Sequence, residues 1–84
     1  MFYVYVLQSL RDKKLYIGFS KNIKKRFKKH KEGSVKSTKN RRPFKLIYLE
    51  AHTSEKDARR REKYFKTTKG KSSLKQVLRN ALNY

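Results

Sequence analysis

The sequence contains no cysteine, only six acidic residues among 84, and no long apolar run. Without cysteine the chain has no disulfide bond, no thiolate metal site and no cysteine nucleophile, and this composition fits a reducing compartment. No apolar stretch approaches the roughly 18 to 20 residues that span a membrane, and no signal-peptide pattern stands at the N-terminus. We therefore expect a cytoplasmic protein without disulfides.

Positive charge dominates the residues that are present. Lysine and arginine together number 25, and the formal net charge is +19 at pH 7. Such an excess is self-repelling in a folded chain, and a polyanionic partner such as nucleic acid offsets the repulsion. A generic solubility charge and an anionic membrane surface are alternatives, but the chain has no amphipathic helix with a broad apolar face and no lipid anchor. The composition therefore predicts a nucleic-acid partner and no membrane.

Hydrophobic periodicity predicts one domain over residues 1–84, with elements in the order ββαβαα. Strands are predicted at Phe2–Leu7, Leu15–Phe19 and Phe44–Ala51, the first two forming an antiparallel hairpin. Helices are predicted at about residues 21–32, from a cap at Thr53 or Ser54 to about Phe65, and over Leu74–Leu82. The intervening segments Ser34–Pro43 and Thr67–Lys71 are predicted to be an exposed basic loop and a basic break.

Two tyrosines lie in the paired strand patterns. Alternation places Tyr3 and Tyr5 on one face of the first strand, and across a hairpin Tyr5 and Tyr16 could present their hydroxyls at one end of that face. Because aromatic residues in apolar runs are usually core residues, simple packing is the alternative. A tyrosine with a pKa near 10 is also a poor base at pH 7, so a role as base would require stabilisation of its anion.

Arg26 and His30 are four residues apart and share one helical face, bordered by Ile23 and Phe27. An arginine there could clamp a phosphate and stabilise charge that develops on it. A histidine there could orient a group or assist proton transfer. The structural alternative for His30 is a hydrogen-bonded histidine at the margin of the core.

Glu62 is a carboxylate on the inner stripe of the helix that also buries Ala58 and Phe65. A buried carboxylate requires hydrogen bonds, a partner cation or a metal. One interpretation is a structural ion pair with Arg26 or a lysine. The other is a metal ligand, because hard divalent ions accept one or two carboxylates and complete their shell with water and substrate phosphate.

Two basic segments, Lys36–Arg42 and Lys66–Lys71, combine cations with hydroxyl side chains, which commonly position a nucleic-acid backbone. The predicted contacts are Lys36, Thr38, Lys39, Arg41, Arg42, Lys66, Lys69 and Lys71. A solvated charge run is the alternative. Nothing resembles a base-reading motif or a zinc finger, so we expect recognition of shape with a strong dependence on salt.

The chain resembles the GIY-YIG nuclease superfamily. Tyr16-Ile17-Gly18 is the complete second half of its signature, and Tyr3-Val4-Tyr5 corresponds to the first half, with Tyr3 in place of glycine. Ten residues separate Tyr5 from Tyr16, as in homing endonucleases of phage introns. The resemblance continues through Arg26, His30 and a glutamate on a later helix, Glu62. It extends to the catalytic domain of repair excinucleases and to a group of short bacterial proteins.

This resemblance implies an α+β fold, a small three-stranded antiparallel sheet flanked by helices. It implies an endonuclease that uses Mg²⁺ or Mn²⁺ to hydrolyse phosphodiester bonds, usually of DNA, without a small-molecule cofactor, and it makes DNA repair one candidate process. Tyr5 would be the base or position the water, Tyr16 would bind the nucleophile or phosphate, and Arg26 would stabilise the transition state. His30 would orient a group or assist proton transfer, and Glu62 would hold the metal.

Other functions fit the same residues. A non-catalytic DNA- or RNA-binding module on the same fold is the main alternative, and a basic adaptor to ribosomes or another acidic partner is a weaker one. A domain of this size has no room for a separate targeting unit. Its specificity would therefore come from the basic loops, from dimerisation or from a protein partner.

Overall fold

Three strands form one antiparallel sheet in the computed structural model, which describes residues 1–82 of the predicted domain 1–84. They are β1 (Phe2–Ser9), β2 (Leu15–Ser20) and β3 (Phe44–His52), in the order β2-β1-β3. The predicted antiparallel hairpin and the α+β class are confirmed. Each strand continues one or two residues beyond its predicted end.

The central strand β1 is buried on both of its faces, which is why its sequence shows no polar face. Val4 and Val6 pack in one apolar cluster, and Tyr5 and Leu7 pack in a second cluster on the other side of the sheet. All four side chains are fully inaccessible to solvent. Tyr5 therefore projects from the most enclosed strand of the molecule.

Helices cover both sides of the sheet. Helix α1 (Ile23–Glu32) begins at the cap Asn22 and ends at Gly33, whose positive φ of 79° suits glycine. Helix α2 (Glu55–Phe65) begins at the cap Ser54, as predicted. The inner side chains of α1 join the cluster of Tyr5, whereas those of α2 join the cluster of the two valines.

The prediction of a basic break at Thr67–Lys71 and of one final helix is wrong. The hydroxyl of Thr67 accepts a hydrogen bond from the backbone N–H of Gly70 and caps helix α3 (Thr68–Val77), and a short helix α4 (Arg79–Leu82) follows. Gly70 lies against the carbonyl of Tyr64, where a Cβ would overlap the backbone. This glycine permits close packing of α3 on α2 and does not end a helix.

The segment Ser34–Pro43 is only partly the exposed loop that was predicted. It contains a single 3₁₀ turn at Lys39–Arg41, and within it Thr38 is completely buried. The hydroxyl of Ser9 anchors the segment by donating to the carbonyl of Arg41 at 2.6 Å. Within residues 1–82, no helix combines the length and apolar character that a membrane span requires.

Candidate active site

The hydroxyl of Tyr5 lies at the centre of a buried hydrogen-bond network. Arg26 Nε donates to it at 3.2 Å, and His30 Nε2 lies 2.9 Å from it. Arg26 and His30 reach the same oxygen because their spacing of four residues places them on one face of α1. The structure thus brings together three of the residues that the sequence singled out.

Gly18 makes the space for this tyrosine. It lies opposite Tyr5 in the pairing of β1 with β2, and a Cβ at position 18 would overlap the ring and hydroxyl of Tyr5. No side chain fits there without displacing the phenol. The glycine of the Tyr16-Ile17-Gly18 motif is therefore explained by the position of Tyr5 and not by a turn.

Thr38 sets the tautomer of His30. Its Oγ1 lies 2.9 Å from His30 Nδ1 and donates its single hydrogen to the carbonyl of Val35 at 3.3 Å. With that hydrogen assigned to Val35, Thr38 is the acceptor of a hydrogen bond from Nδ1–H. Nε2 is then the unprotonated nitrogen of a neutral imidazole, and it accepts the hydrogen of the Tyr5 hydroxyl. Donors therefore point in one direction, from Arg26 to Tyr5, from Tyr5 to His30, and from His30 to Thr38.

Both Tyr5 and His30 are neutral near pH 7. Burial, together with the charge of Arg26, lowers the pKa of His30 to about 4. The pKa of Tyr5 is raised, chiefly by burial, although the hydrogen bond from Arg26 opposes this change. Tyr5 is thus not a preformed anion, and any proton that it accepts requires loss of its own proton to His30.

Tyr16 forms the exposed margin of this network. It is half-buried, and its ring centroid lies 5.1 Å from that of His30 and 6.3 Å from that of Tyr5. The hydrogen bond to Tyr5 is the main cause that raises the pKa of Arg26, and Tyr16 contributes to the same change. Tyr16 and Arg26 therefore present the network to solvent.

Glu62 approaches the same site from α2. Burial is the main cause that raises the pKa of Tyr5, and the negative charge of Glu62 makes the smallest contribution in the same direction. Its side chain is 16% exposed, and Lys66 Nζ donates to its Oε2 at 3.1 Å. Glu62 therefore forms the ion pair that was one of its two interpretations. The partner is Lys66 and not Arg26.

The side chains around Glu62 offer a metal few ligands, so a divalent ion would be held only weakly there. Within the described part of the chain, no group of three or more histidine, aspartate or glutamate side chains could hold a metal. A single carboxylate fits Mg²⁺ or Mn²⁺ when water and substrate phosphate supply the other oxygens. An ion at Glu62 would also have to compete with the ammonium of Lys66.

The predicted phosphate contacts are dispersed. Lys39 and Arg42 line a basic cavity of about 430 Å³ together with Arg11 and Lys31. Three of the remaining predicted cations are exposed: Lys36, Lys69 and Lys71. Lys66 is paired with Glu62, and Arg41 is paired with Asp12 at 3.4 Å. Thr38 is incompatible with its predicted role because its hydroxyl is buried against His30.

A second polar cluster, which the sequence did not indicate, joins β3 to α2. Arg61 binds both carboxylate oxygens of Glu50 at 3.0 to 3.1 Å, and Tyr48 and His52 also contact that carboxylate. Burial raises the pKa of Glu50, but the hydrogen bonds from Arg61, Tyr48 and His52 outweigh it and lower the pKa overall. The cluster fixes the residue that precedes Glu62 to the sheet.

The chain is similar to known proteins. The family model described as the GIY-YIG catalytic domain matches residues 1–76. A UPF0213 protein of Bacillus licheniformis is 41% identical over 76 residues, which cover 89% of this chain and 77% of that protein. A UPF0213 protein of Clostridium perfringens is 42% identical over 67 residues, 79% of this chain and 71% of that protein.

A solved structure is also similar. The solution NMR structure of a UPF0213 protein from Bacillus halodurans superimposes with a TM-score of 0.57 at 33% sequence identity. The match covers 92% of this chain and 85% of that chain.

Proposed function

Since the chain belongs to the GIY-YIG family and is similar to its short UPF0213 proteins, we propose that it is a divalent-metal-dependent endonuclease acting on DNA. The observation that carries this proposal is the hydrogen-bond chain from Arg26 through Tyr5 to a neutral His30. Such a chain joins a cation suited to phosphate to a proton acceptor, and both kinds of group accelerate hydrolysis of a phosphodiester. The net charge of +19 supports a polyanionic substrate.

The proton of the attacking water would move along this chain. The Tyr5 hydroxyl is closed to solvent in the free protein, so Tyr5 would take this proton once bound substrate has opened a path to that oxygen. It would pass its own hydrogen to Nε2 of His30, so that Tyr5 ends neutral and His30 becomes an imidazolium. A pKa of about 4 makes His30 a reluctant acceptor in the free protein. A bound phosphate would offset the charge of Arg26, which is one cause of that low pKa, and would make His30 more basic.

Arg26 and Tyr16 would hold the phosphate. With Nε bound to Tyr5, the other nitrogens of Arg26 are its remaining donors, and a guanidinium presents them in a fork suited to phosphate oxygens. Glu62 would hold the metal after its carboxylate is released from Lys66, whose ammonium could then contact phosphate. A divalent ion held there would supply positive charge that stabilises the phosphate and the leaving oxygen.

The test is nicking of supercoiled and branched DNA with Mg²⁺ or Mn²⁺. We expect cleavage by the wild type and none by Glu62→Ala, with DNA binding retained. Tyr5→Phe keeps the buried ring but removes the hydroxyl, and should lower the rate by about 10²- to 10⁴-fold, the usual contribution of general acid–base catalysis. Absence of cleavage on every substrate, or equal cleavage by wild type and Glu62→Ala, would contradict the proposal.

The pairing of Glu62 with Lys66 favours a second candidate, a non-catalytic module that binds DNA or RNA on the same fold. In that case Glu62 is a structural carboxylate and the chain needs no metal. Binding that ignores Mg²⁺ at all salt concentrations, together with no cleavage, would identify this function. The cytoplasmic location, a role in DNA repair and a protein partner for targeting stay predictions.

A further inference from the structure

A groove of about 230 Å³ lies on the surface beside Arg26. It is lined by Ser20, Lys21, Asn22, Lys25, Arg26 and Lys29. Four of these six residues are cations and none is acidic. The cleft formed by residues on the other side of α1 instead includes Glu32 among its lining residues. The groove is therefore a surface of one sign, bordered by hydroxyl and amide groups.

The cations of the groove follow from the periodicity of α1. Lys25 and Lys29 are four residues apart and lie about 6 Å apart along the helix axis, with Arg26 beside them. All three lysines are exposed. Within residues 1–82, the structure gives no ion pair to Lys25 or Lys29, whereas Lys21 has a long surface contact with Glu55 at 3.7 Å. Exposed pairs of that kind contribute little, so all three ammonium groups are available to an anion.

Arg26 joins the groove to the candidate active site. It lines the groove, and its Nε donates to the Tyr5 hydroxyl. An anionic strand that lies along Lys29, Lys25 and Lys21 would therefore bring one of its phosphates to Arg26. The cations of the two basic segments predicted from the sequence show no such direct contact with Tyr5. They lie on the segment after α1, at the end of α2 and within α3.

We propose that this groove binds the backbone phosphates of the DNA strand beside the bond that is cut. Lys21, Lys25 and Lys29 contact successive phosphates as point charges, so the groove reads no base sequence. This inference rests on the proposed function for the identity of the cut bond, but binding of the DNA backbone does not itself require cleavage.

The test compares two double variants on the same helix. Lys25→Ala/Lys29→Ala removes two groove cations, and Lys24→Ala/Lys28→Ala removes the same charge from the other side of α1, where those lysines line the cleft with Glu32. Binding of a fluorescent DNA duplex is measured across salt concentrations without divalent metal, so that no strand is cut. Because the substituted positions are exposed and alanine favours helix, both variants should fold, which circular dichroism verifies.

We expect the groove pair to weaken binding by roughly tenfold or more at 0.1 M salt. The negative slope of log K against log salt should become shallower by about 2, since each phosphate contact contributes about −0.9 to it. The control pair should change affinity less than about threefold and leave the slope unchanged. Equal losses of DNA affinity in the two double variants would contradict the proposed role of the groove.

The two proposals fail separately. In one outcome, the wild type never cuts DNA while the groove pair weakens DNA binding and its salt dependence. In that case the proposal of a DNA-binding groove is supported and the nuclease proposal fails. If the wild type cuts DNA and the two double variants bind DNA equally well, the nuclease proposal is supported and the groove proposal fails. Where cleavage is observed, the groove pair should raise KM more than it lowers kcat, because its contacts also exist before the transition state.

Discussion

Thr38 decides which nitrogen of His30 faces Tyr5. Replacement by valine, which has nearly the same shape, would leave the buried Nδ1–H without an acceptor and should cost about 1 to 3 kcal/mol of unfolding free energy. The hydrogen should then shift to Nε2 in part of the molecules. NMR of the imidazole ¹⁵N nuclei measures this directly: wild type and Thr38→Ser should show a protonated Nδ1, and Thr38→Val should show a smaller fraction protonated at Nδ1 and a larger fraction at Nε2. An unchanged tautomer in Thr38→Val would contradict the assigned network.

His30 should also make stability depend on pH. Its pKa is about 4 in the folded chain against 6.5 ordinarily, so the unfolded chain binds the proton more readily between these values. The stabilisation is therefore complete above pH 6.5 and is lost as pH falls toward 4, by about 3 kcal/mol in all, since one pKa unit corresponds to about 1.4 kcal/mol. Urea unfolding from pH 7.5 to 4.5 measures it.

The variant His30→Gln serves as the control, because every other titrating group is retained in it. Its unfolding free energy should fall much less over the same interval. Two parallel curves would mean that His30 is not the responsible group. The lowered pKa of Glu50 acts mainly at more acidic pH, below its ordinary value of 4.5, and so is separated from the effect of His30.

At the scale of elements, Arg61 provides the bidentate ion pair that ties helix α2 to β3. Arg61 binds Glu50, whose side chain is 15% exposed, and lies 4.3 Å over the ring of Phe65. Arg61→Ala would leave that carboxylate without its cation, which we expect to cost about 2 kcal/mol, below the value for a fully buried pair because Arg61 is partly exposed. Denaturant unfolding provides the measurement.

Its neighbour Arg60 is the matched control. Arg60 pairs with Asp57 at 2.7 Å, but the two side chains are 75% and 53% exposed. Because exposed pairs contribute little, Arg60→Ala should change stability by less than about 0.5 kcal/mol. Similar losses for the two variants would show that the Glu50 cluster does not hold α2. Arg61→Ala should also impair cleavage, since Glu62 is the next residue of the same helix.

The order of strands and the first two helices could be predicted because each rests on local information. The apolar runs mark the strands, and Asn22, Gly33 and Ser54 mark helix ends by their own capping chemistry. The start of α3 could not be predicted in the same way. Gly70 suggests a break when it is considered locally, and only the adjacent carbonyl of Tyr64 explains why a glycine lies inside a helix.

The candidate site was predictable to the same extent. The helical spacing of Arg26 and His30 places them on one face, and both do reach Tyr5. Thr38 was assigned to the surface because its neighbours are lysine, serine and asparagine. Nothing in that composition indicates that a single hydroxyl turns inward to a histidine eight residues earlier. Its role depends on the path of the loop, which periodicity does not describe.

For the molecule as a whole, self-repulsion should limit stability. With a net charge of +19 on 84 residues, screening by salt should stabilise the folded state. If NaCl removes about 1 kcal/mol of repulsion, Tm rises by roughly 4 to 8 °C for a domain of this size. Scanning calorimetry between 50 and 500 mM NaCl provides the measurement, with an uncharged osmolyte as control for solvent exclusion. A Tm that falls as NaCl is added would contradict this expectation.

Tyr5 lies on the middle strand β1, whose backbone pairs with β2 on one side and with β3 on the other. Exposing the packed ring of Tyr5 to water requires separation of the sheet, which amounts to unfolding the domain. Its amide should therefore be among the slowest to exchange with deuterium. Fraying of the short helix α4 would leave the Tyr5 network intact, so loss of activity on heating should coincide with loss of the fold and not precede it.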